Sequence, residues 1–148
     1  MQKRAFLKSL GLLTASFPLL SWDSAHPAYD SKVLLPEAIK KGDTVGLISP
    51  SAATADRMQF TYAKEALEAL GFNVRLGKNL MNRRGHLAGT DNERAGDLNE
   101  MFKDKNVKAI VSIRGGSGAE RILPLIDYKA ISKNPKPLLG YSDITALH

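Results

Sequence analysis

The sequence predicts an α/β fold in which a parallel sheet carries helices on both faces. Short apolar strands alternate with helical segments between residues 44 and 140, an order that is typical of parallel sheets. The predicted strands are apolar almost throughout, as strands covered on both faces are. We therefore expect three layers of the flavodoxin or Rossmann type, in which the loops after the strands meet at one edge of the sheet.

The first half of the domain is predicted as a strand, a helix and a second strand. Residues 44–49 form an apolar, β-branched run that follows a turn at residues 41–43 and ends at residues 49–51, Ser-Pro-Ser. Residues 55–70 repeat apolar side chains at helical spacing, and Gly71 follows as a C-terminal stop. Residues 72–76 read as the second strand.

The second half repeats the alternation. Thr90 and Glu93 match a capping box, which predicts a helix that runs to about Phe102. Residues 107–113 form the predicted third strand, and the glycine-rich loop at residues 114–118, Arg-Gly-Gly-Ser-Gly, follows it. A short helix over residues 119–126 and a fourth strand over residues 137–140 complete the prediction.

Residues 140–145, Gly-Tyr-Ser-Asp-Ile-Thr, position Ser142 at a sharp turn from a strand into a helix. A side chain at such a turn projects from the sheet edge, where the free N–H groups of the new helix can stabilise an oxyanion. Ser142 and Asp143 are also residue types preferred at a helix N-cap, and Ile144 replaces the last glycine of the G-x-S-x-G elbow. The nucleophile and N-cap interpretations both stay open on these residues alone.

Two other loops are expected at the same edge. Ser49 and Ser51 follow the first strand, and the 114–118 loop offers backbone N–H donors for an oxyanion hole. The same loop could instead bind a phosphate, although no G-x-G-x-x-G pattern follows the first strand. Arg114 suits either a substrate carboxylate or a structural partner such as Glu120.

Composition excludes several classes of function. The chain has no cysteine, which rules out disulfides, thiolate metal sites, a cysteine nucleophile and a lipoprotein anchor. Its three histidines, His26, His86 and His148, lack the spacing of metal ligands, so no metal is expected, and His86 is predicted as a surface residue. The basic residues are scattered among acids apart from residues 83–84, so nucleic acid is not an expected partner.

Residues 1–28 have the three-part layout of an export signal. A basic start with Lys3 and Arg4 precedes an apolar stretch at residues 9–20 and a polar segment. Residues 3–8, Lys-Arg-Ala-Phe-Leu-Lys, resemble the twin-arginine pattern with lysine in the first position. The apolar run is too short to span a bilayer, so no stable membrane anchor is expected. We expect residues 29–148 to form the domain of a protein exported to the periplasm or beyond, the alternative being a cytoplasmic protein with an N-terminal extension.

Several ordered motifs together resemble the N-terminal half of the LD-carboxypeptidases, also called muramoyltetrapeptide carboxypeptidases, of serine peptidase family S66. The resemblance runs from about Leu34 to His148. Its motifs are residues 42–45, 48–51, 87–91, 114–118, 134–137 and 140–145, with Arg94, Asp97 and Leu98.

The resemblance implies a Ser-His-Glu triad in which Ser142 is the nucleophile, and it implies no cofactor. The oxyanion hole would use the N–H of Asp143 together with Gly115 or Gly116. Arg114, Ser117, Ser49 and Ser51 are expected to contact the substrate, although Ser117 replaces the aromatic residue usual in the family. In the family the Glu and His come from a C-terminal domain, and His148 lies too early to be that histidine. We therefore expect a truncated chain that lacks turnover alone.

The implied reaction removes the terminal D-alanine from murein tetrapeptides during peptidoglycan turnover or recycling. A murein peptide is then the expected partner, and the full-length protein is compatible with a homodimer. The microcin C self-immunity hydrolases resemble the same motifs and are the first alternative, although an export signal favours the carboxypeptidase. A non-catalytic murein-peptide-binding module is the second alternative.

Overall fold

The four predicted strands form one parallel sheet in the computed structural model of the chain, which describes residues 33–148. The strands are β1 (Thr44–Ile48), β2 (Asn73–Leu76), β3 (Val107–Ser112) and β4 (Leu138–Leu139), in the order β2-β1-β3-β4. In this order the connection after β1 runs to one side of the sheet and the connection after β3 runs to the other. The crevice beyond the carboxyl ends of β1 and β3 is therefore the usual ligand position. The predicted fold class is confirmed, whereas the predicted export signal lies outside the described residues.

Helices cover both faces of the sheet, as predicted. On one face α1 (Met58–Ala69) packs Phe60 against Leu47 and Leu80. On the other face α2 (Asp91–Lys103) packs its apolar side chains against Ile48. Leu47 and Ile48 are adjacent in β1 and point to opposite faces, so each contributes to a different half of the core. No helix within residues 33–148 is long and apolar enough to cross a membrane.

Polar side chains close both ends of α2. At its start the predicted capping box is present, because Glu93 N donates to Thr90 Oγ1 at 3.2 Å and Thr90 N donates to Glu93 Oε2 at 2.7 Å. At its end the buried Lys136 Nζ donates to the carbonyl oxygens of Met101 at 2.5 Å and Phe102 at 3.1 Å. Burial lowers the pKa of Lys136 to about 8. Lys136 thereby satisfies carbonyl groups that have no partner within the helix.

Of three elements near the C-terminal end, the predicted short helix over residues 119–126 is present and the other two differ from the prediction. Residues Glu120–Leu125 form a 3-10 helix with Pro124 inside it, because proline removes an N–H donor from a regular α-helix. A short helix α3 (Tyr128–Lys133) follows, which the sequence does not predict because six residues give no readable periodicity. β4 has only two residues and lies at the edge of the sheet.

Candidate active site

Ser142 occupies a strained position in the turn that follows β4. Its φ is +59°, and it is the one residue other than glycine with a positive φ among residues 33–148. Tyr141 before it is extended, and the 3-10 helix Ser142–Leu147 begins at the turn. This left-handed conformation costs a non-glycine residue about 1–2 kcal/mol, and such strain is concentrated at functional sites. The backbone therefore presents the exposed Ser142 side chain at the sheet edge.

The glycine-rich loop after β3 lies directly against this turn. A Cβ atom added at Gly115 would lie 2.9 Å from Ser142 Cβ, 2.8 Å from the Tyr141 carbonyl oxygen and 3.3 Å from Asp143 N. Only glycine permits so close an approach. Gly116 has a φ of +135° and lies against Ala52. Within the described residues no acceptor is hydrogen-bonded to the backbone N–H of Asp143, Gly115 or Gly116, so these donors are available to an anion.

The side chain of Asp143 joins the three loops at this edge. Its Oδ2 atom accepts hydrogen bonds from Ser51 Oγ at 2.5 Å and from Ala119 N at 2.8 Å. The loops after β1, β3 and β4 therefore converge, as the sequence predicts. Ser51 is fully buried and Ser49 is 4% exposed, and Ser49 Oγ has no hydrogen-bond partner within residues 33–148. Substrate contacts by these two serines stay a prediction.

Arg114 bridges two of the converging loops. Its Nη1 atom donates to the Ala53 carbonyl oxygen at 3.2 Å. The alternative partner Glu120 forms no ion pair with it in the described part of the chain. Ser117 is exposed in the same loop. Arg114 is thus held by backbone at the rim of the crevice, and its role toward a substrate carboxylate stays a prediction.

Arg94 is a site residue to which the sequence motif assigns no role. It is 1% exposed, and its Nη1 atom donates to the carbonyl oxygens of Pro50 at 2.5 Å and Gly118 at 2.8 Å. Its Nη2 atom donates to Asp91 Oδ1 at 2.5 Å, and Arg121 Nη2 binds the other carboxylate oxygen of Asp91 at 2.8 Å. Arg94 therefore joins the loop after β1 to the glycine-rich loop. The one signal in the sequence is the place of Arg94 among the motifs of the family resemblance, and that signal does not reveal its contacts.

Both described histidines are exposed, as predicted for His86. The His86 carbonyl oxygen accepts from Ala53 N at 2.8 Å, which attaches the loop before α2 to the loop after β1. Neither His86 nor His148 forms a side-chain hydrogen bond with Ser142 among residues 33–148. The described site thus combines a strained serine with backbone donors, and it holds no histidine in contact with that serine.

Acid is expected to weaken the part of the fold that supports the site. Hydrogen bonds from the Thr90 backbone and side chain lower the pKa of Glu93 from 4.5. Because the pKa of Glu93 is lower in the folded state than in the unfolded state, its contribution is complete above the unfolded value and is lost as pH falls through the folded one. Chemical unfolding at a series of pH values should show a declining free energy of unfolding below about pH 4.5.

The variant Glu93→Gln separates this group from the other acids. Glutamine keeps the capping box but does not titrate, so the decline between neutral and acid pH should be shallower in the variant. Burial raises the pKa of Asp97, a shift of the opposite sign that both proteins share. Parallel pH profiles for the two proteins would contradict the role assigned to Glu93.

Glycine at position 142 is expected to relieve the strain in the turn. Ser142→Gly should be more stable than Ser142→Ala by up to about 1 kcal/mol, because glycine adopts a positive φ without the steric cost of a Cβ atom. Urea unfolding of the two variants in this chain measures the difference. A Ser142→Gly variant clearly less stable than Ser142→Ala would show that the position is not strained.

Comparison with known proteins identifies the family of this chain and finds solved structures with the same fold. Residues 45–148 match the family model described as the LD-carboxypeptidase N-terminal domain, Peptidase_S66. The probable murein peptide carboxypeptidase of Bacillus subtilis (strain 168) is 51% identical over 113 residues, which cover 76% of this chain and 35% of the relative. The microcin C7 self-immunity protein MccF of Escherichia coli is 37% identical, over 79% of this chain and 35% of the relative.

A solved structure agrees with these relatives. MccF in complex with aspartyl sulfamoyl adenosine matches 78% of this chain and 35% of its own chain, with 36% identity and a TM-score of 0.73. The chain thus spans about a third of the length of the curated relatives it matches. The family match covers the sheet, the glycine-rich loop and the Ser142 turn. The chain belongs to the LD-carboxypeptidase family, peptidase family S66, of which residues 45–148 are the N-terminal domain.

Proposed function

We propose that this chain is the nucleophile-bearing part of a serine carboxypeptidase that removes the terminal D-alanine from murein tetrapeptides. The observation that supports this most is the positive φ of Ser142 in the turn after β4, with Gly115 and the N–H of Asp143 beside it. An N-cap serine would need no such strain, because N-cap residues usually have extended backbone. The strain is therefore better explained by a requirement on where the hydroxyl points.

In the proposed reaction Ser142 Oγ attacks the carbonyl carbon of the bond to D-alanine. A histidine outside this chain, oriented by a glutamate as the family resemblance implies, takes the hydroxyl proton and returns it to the departing amine. The C–N bond breaks, D-alanine leaves, and water hydrolyses the acyl-enzyme. The N–H groups of Asp143 and of Gly115 or Gly116 stabilise the oxyanion that forms on the way. By this proposal turnover needs the portion of the relatives that supplies the histidine and the glutamate.

Substrate contacts are proposed for the residues around the crevice. Arg114 is held at one Nη atom by the Ala53 carbonyl, and its guanidinium suits the C-terminal carboxylate of D-alanine. Ser117, exposed in the loop between the glycines, would border the peptide. Ser49 and Ser51 lie beneath the site, and Ser49 Oγ is a buried hydroxyl that a substrate group or water could satisfy.

The second candidate function is that of the microcin C7 self-immunity protein, to which this chain is 37% identical. Solved structures of that protein are described as complexes with aspartyl sulfamoyl adenosine and glutamyl sulfamoyl guanosine. The higher identity to the murein peptide carboxypeptidase, 51%, favours the peptidase. The third candidate function is that of a module that binds murein peptides without catalysis. Export, inferred from residues 1–28, would bring a peptidase to its wall substrate.

A substrate comparison tests the proposal. The protein to use is one in which the C-terminal portion of the relatives follows this chain, here called the full-length protein. A chimera with the matching portion of the Bacillus subtilis relative provides it. We expect release of D-alanine from murein tetrapeptide and no cleavage of aspartyl sulfamoyl adenosine. The reverse result would assign the self-immunity function, and saturable tetrapeptide binding without release would leave the binding module.

A further inference from the structure

Lysine side chains gather at the edge of the domain opposite the candidate active site. They lie at and after the end of α2, at the start of β3, and in and just after α3. This region is next to the amino ends of the strands, whereas Ser142 follows the carboxyl end of β4. Two adjoining concavities lie there, of about 460 and 350 Å³, and both are bordered by Lys105 and Lys133. We call this region the lysine edge, and its lysines are Lys103, Lys105, Lys108, Lys129, Lys133 and Lys136.

The net charge of the domain is concentrated on the lysine edge. Residues 33–148 contain 17 Lys and Arg and 13 Asp and Glu, a net charge of +4. The two concavities are lined by six lysines and by two acids, Glu37 and Asp127, which also gives +4. The other described residues are therefore neutral overall. Charges that are scattered in the sequence are brought together by the fold.

Local structure accounts for three of the six lysines, and Lys108 is one of them, since its Nζ lies 4.0 Å from Glu37 Oε2. Asp127 pairs with Lys103 at 2.9 Å, and Lys136 already satisfies the end of α2. The exposed Lys105 and Lys129 form no ion pair within residues 33–148. Like charges gathered on one edge repel one another, so a negatively charged partner stabilises the arrangement.

Exposed apolar side chains accompany the lysines. Leu35 is 82% exposed and borders the same concavity as Lys105, and Tyr128, 57% exposed, precedes Lys129 in α3. Lysines beside exposed aliphatic and aromatic side chains are typical of surfaces that contact lipid headgroups. A surface for nucleic acid would instead interleave several aromatic residues for base stacking, and Tyr128 is the one aromatic residue exposed here.

We propose that the lysine edge binds the surface of a membrane that contains anionic phospholipids. The lysine ammonium groups contact lipid phosphates, while Leu35 and Tyr128 enter the headgroup layer. Because Ser142 lies at the opposite end of the strands, the candidate active site then faces away from the bilayer. This orientation is independent of the reaction that Ser142 catalyses.

Vesicle sedimentation with the full chain tests the proposal. The triple variant K105Q/K129Q/K133Q is compared with K64Q/K78Q/R83Q, which has the same net charge but lies outside the lysine edge. On vesicles of phosphatidylcholine with phosphatidylglycerol, the first variant should bind about 100-fold more weakly than the unmodified chain, since each basic residue near an anionic surface contributes about 1 kcal/mol. The second variant should bind like the unmodified chain, and high salt should remove the difference.

Three results would overturn the proposal. Equal weakening by both triple variants would mean that only net charge matters. Equal binding of the unmodified chain to vesicles of pure phosphatidylcholine would assign the binding to apolar residues, including those of the N-terminal segment. Binding of a DNA duplex that is lost in the first variant, without lipid binding, would assign the edge to nucleic acid. Circular dichroism confirms folding, and Tyr128→Ser, which keeps every charge, should also weaken lipid binding.

Discussion

Ser142→Ala in the full-length protein is expected to abolish the release of D-alanine from murein tetrapeptide. The fall in kcat should be at least about 10⁴-fold, the size of effect seen when a serine peptidase loses its nucleophile. Removing Oγ leaves the oxyanion donors at Asp143 and Gly115 intact, so KM should change little. Timed assays of free D-alanine under saturating tetrapeptide measure the effect.

Ser132→Ala is the matched control for this loss. Ser132 lies in α3, and its hydroxyl donates to the Tyr128 carbonyl oxygen, away from the Ser142 turn. The control should retain full activity. Retention of full D-alanine release by Ser142→Ala would remove Ser142 from the reaction, and the strain at this turn would then need a structural explanation.

Arg94→Met is expected to cause a large loss of stability, because Arg94 is buried and joins two loops of the candidate site. The variant leaves the Pro50 and Gly118 carbonyl groups without their donor and removes one of the two arginines that bind the Asp91 carboxylate. Each buried acceptor that is left without a donor costs about 1–3 kcal/mol, so the two carbonyl groups together should cost about 2–5 kcal/mol. Urea unfolding of the chain, followed by circular dichroism, measures the change in the free energy of unfolding.

Arg121→Ala provides the comparison, because Arg121 binds the same Asp91 carboxylate from the surface and its side chain is 56% exposed. An exposed pair contributes less than about 1 kcal/mol, so this variant should be nearly as stable as the unmodified chain. Arg94→Lys should fall between the two, since lysine keeps the charge but cannot contact all three acceptors. Equal effects of Arg94→Met and Arg121→Ala would contradict the assignment of Arg94 as the residue that joins the loops.

Elements encoded by neighbouring residues could be predicted from the sequence. β1 is an apolar run because it is buried on both faces, and the start of α2 is specified by Thr90 and Glu93, which are only three residues apart. Residues 119–126 also carry apolar side chains, which predict a short helix, and the structure forms this helix as a 3-10 helix with Pro124 inside it. α3 has only six residues, so the spacing of its apolar side chains cannot be distinguished from a chance pattern.

The position of the site was predictable and its internal contacts were not. Parallel pairing alone brings the loops after β1, β3 and β4 to one edge, so Ser51, Gly115 and Ser142 could be expected there. Arg94 binds backbone carbonyl groups 44 and 24 residues away, and a carbonyl acceptor has no signature in side-chain identity. The positive φ of Ser142 is likewise invisible in the sequence, because most serines have a negative φ.

The measurement that tests the account most directly is the structure of full-length Ser142→Ala with a bound murein tetrapeptide. The account predicts that the carbonyl carbon of the terminal D-alanine bond lies within about 3.5 Å of the position that Ser142 Oγ occupies in the unmodified protein. The carbonyl oxygen should lie about 2.7–3.1 Å from the backbone nitrogen of Asp143 and from that of Gly115 or Gly116. A tetrapeptide bound elsewhere, or with that carbonyl pointing away from the Ser142 turn, would contradict it.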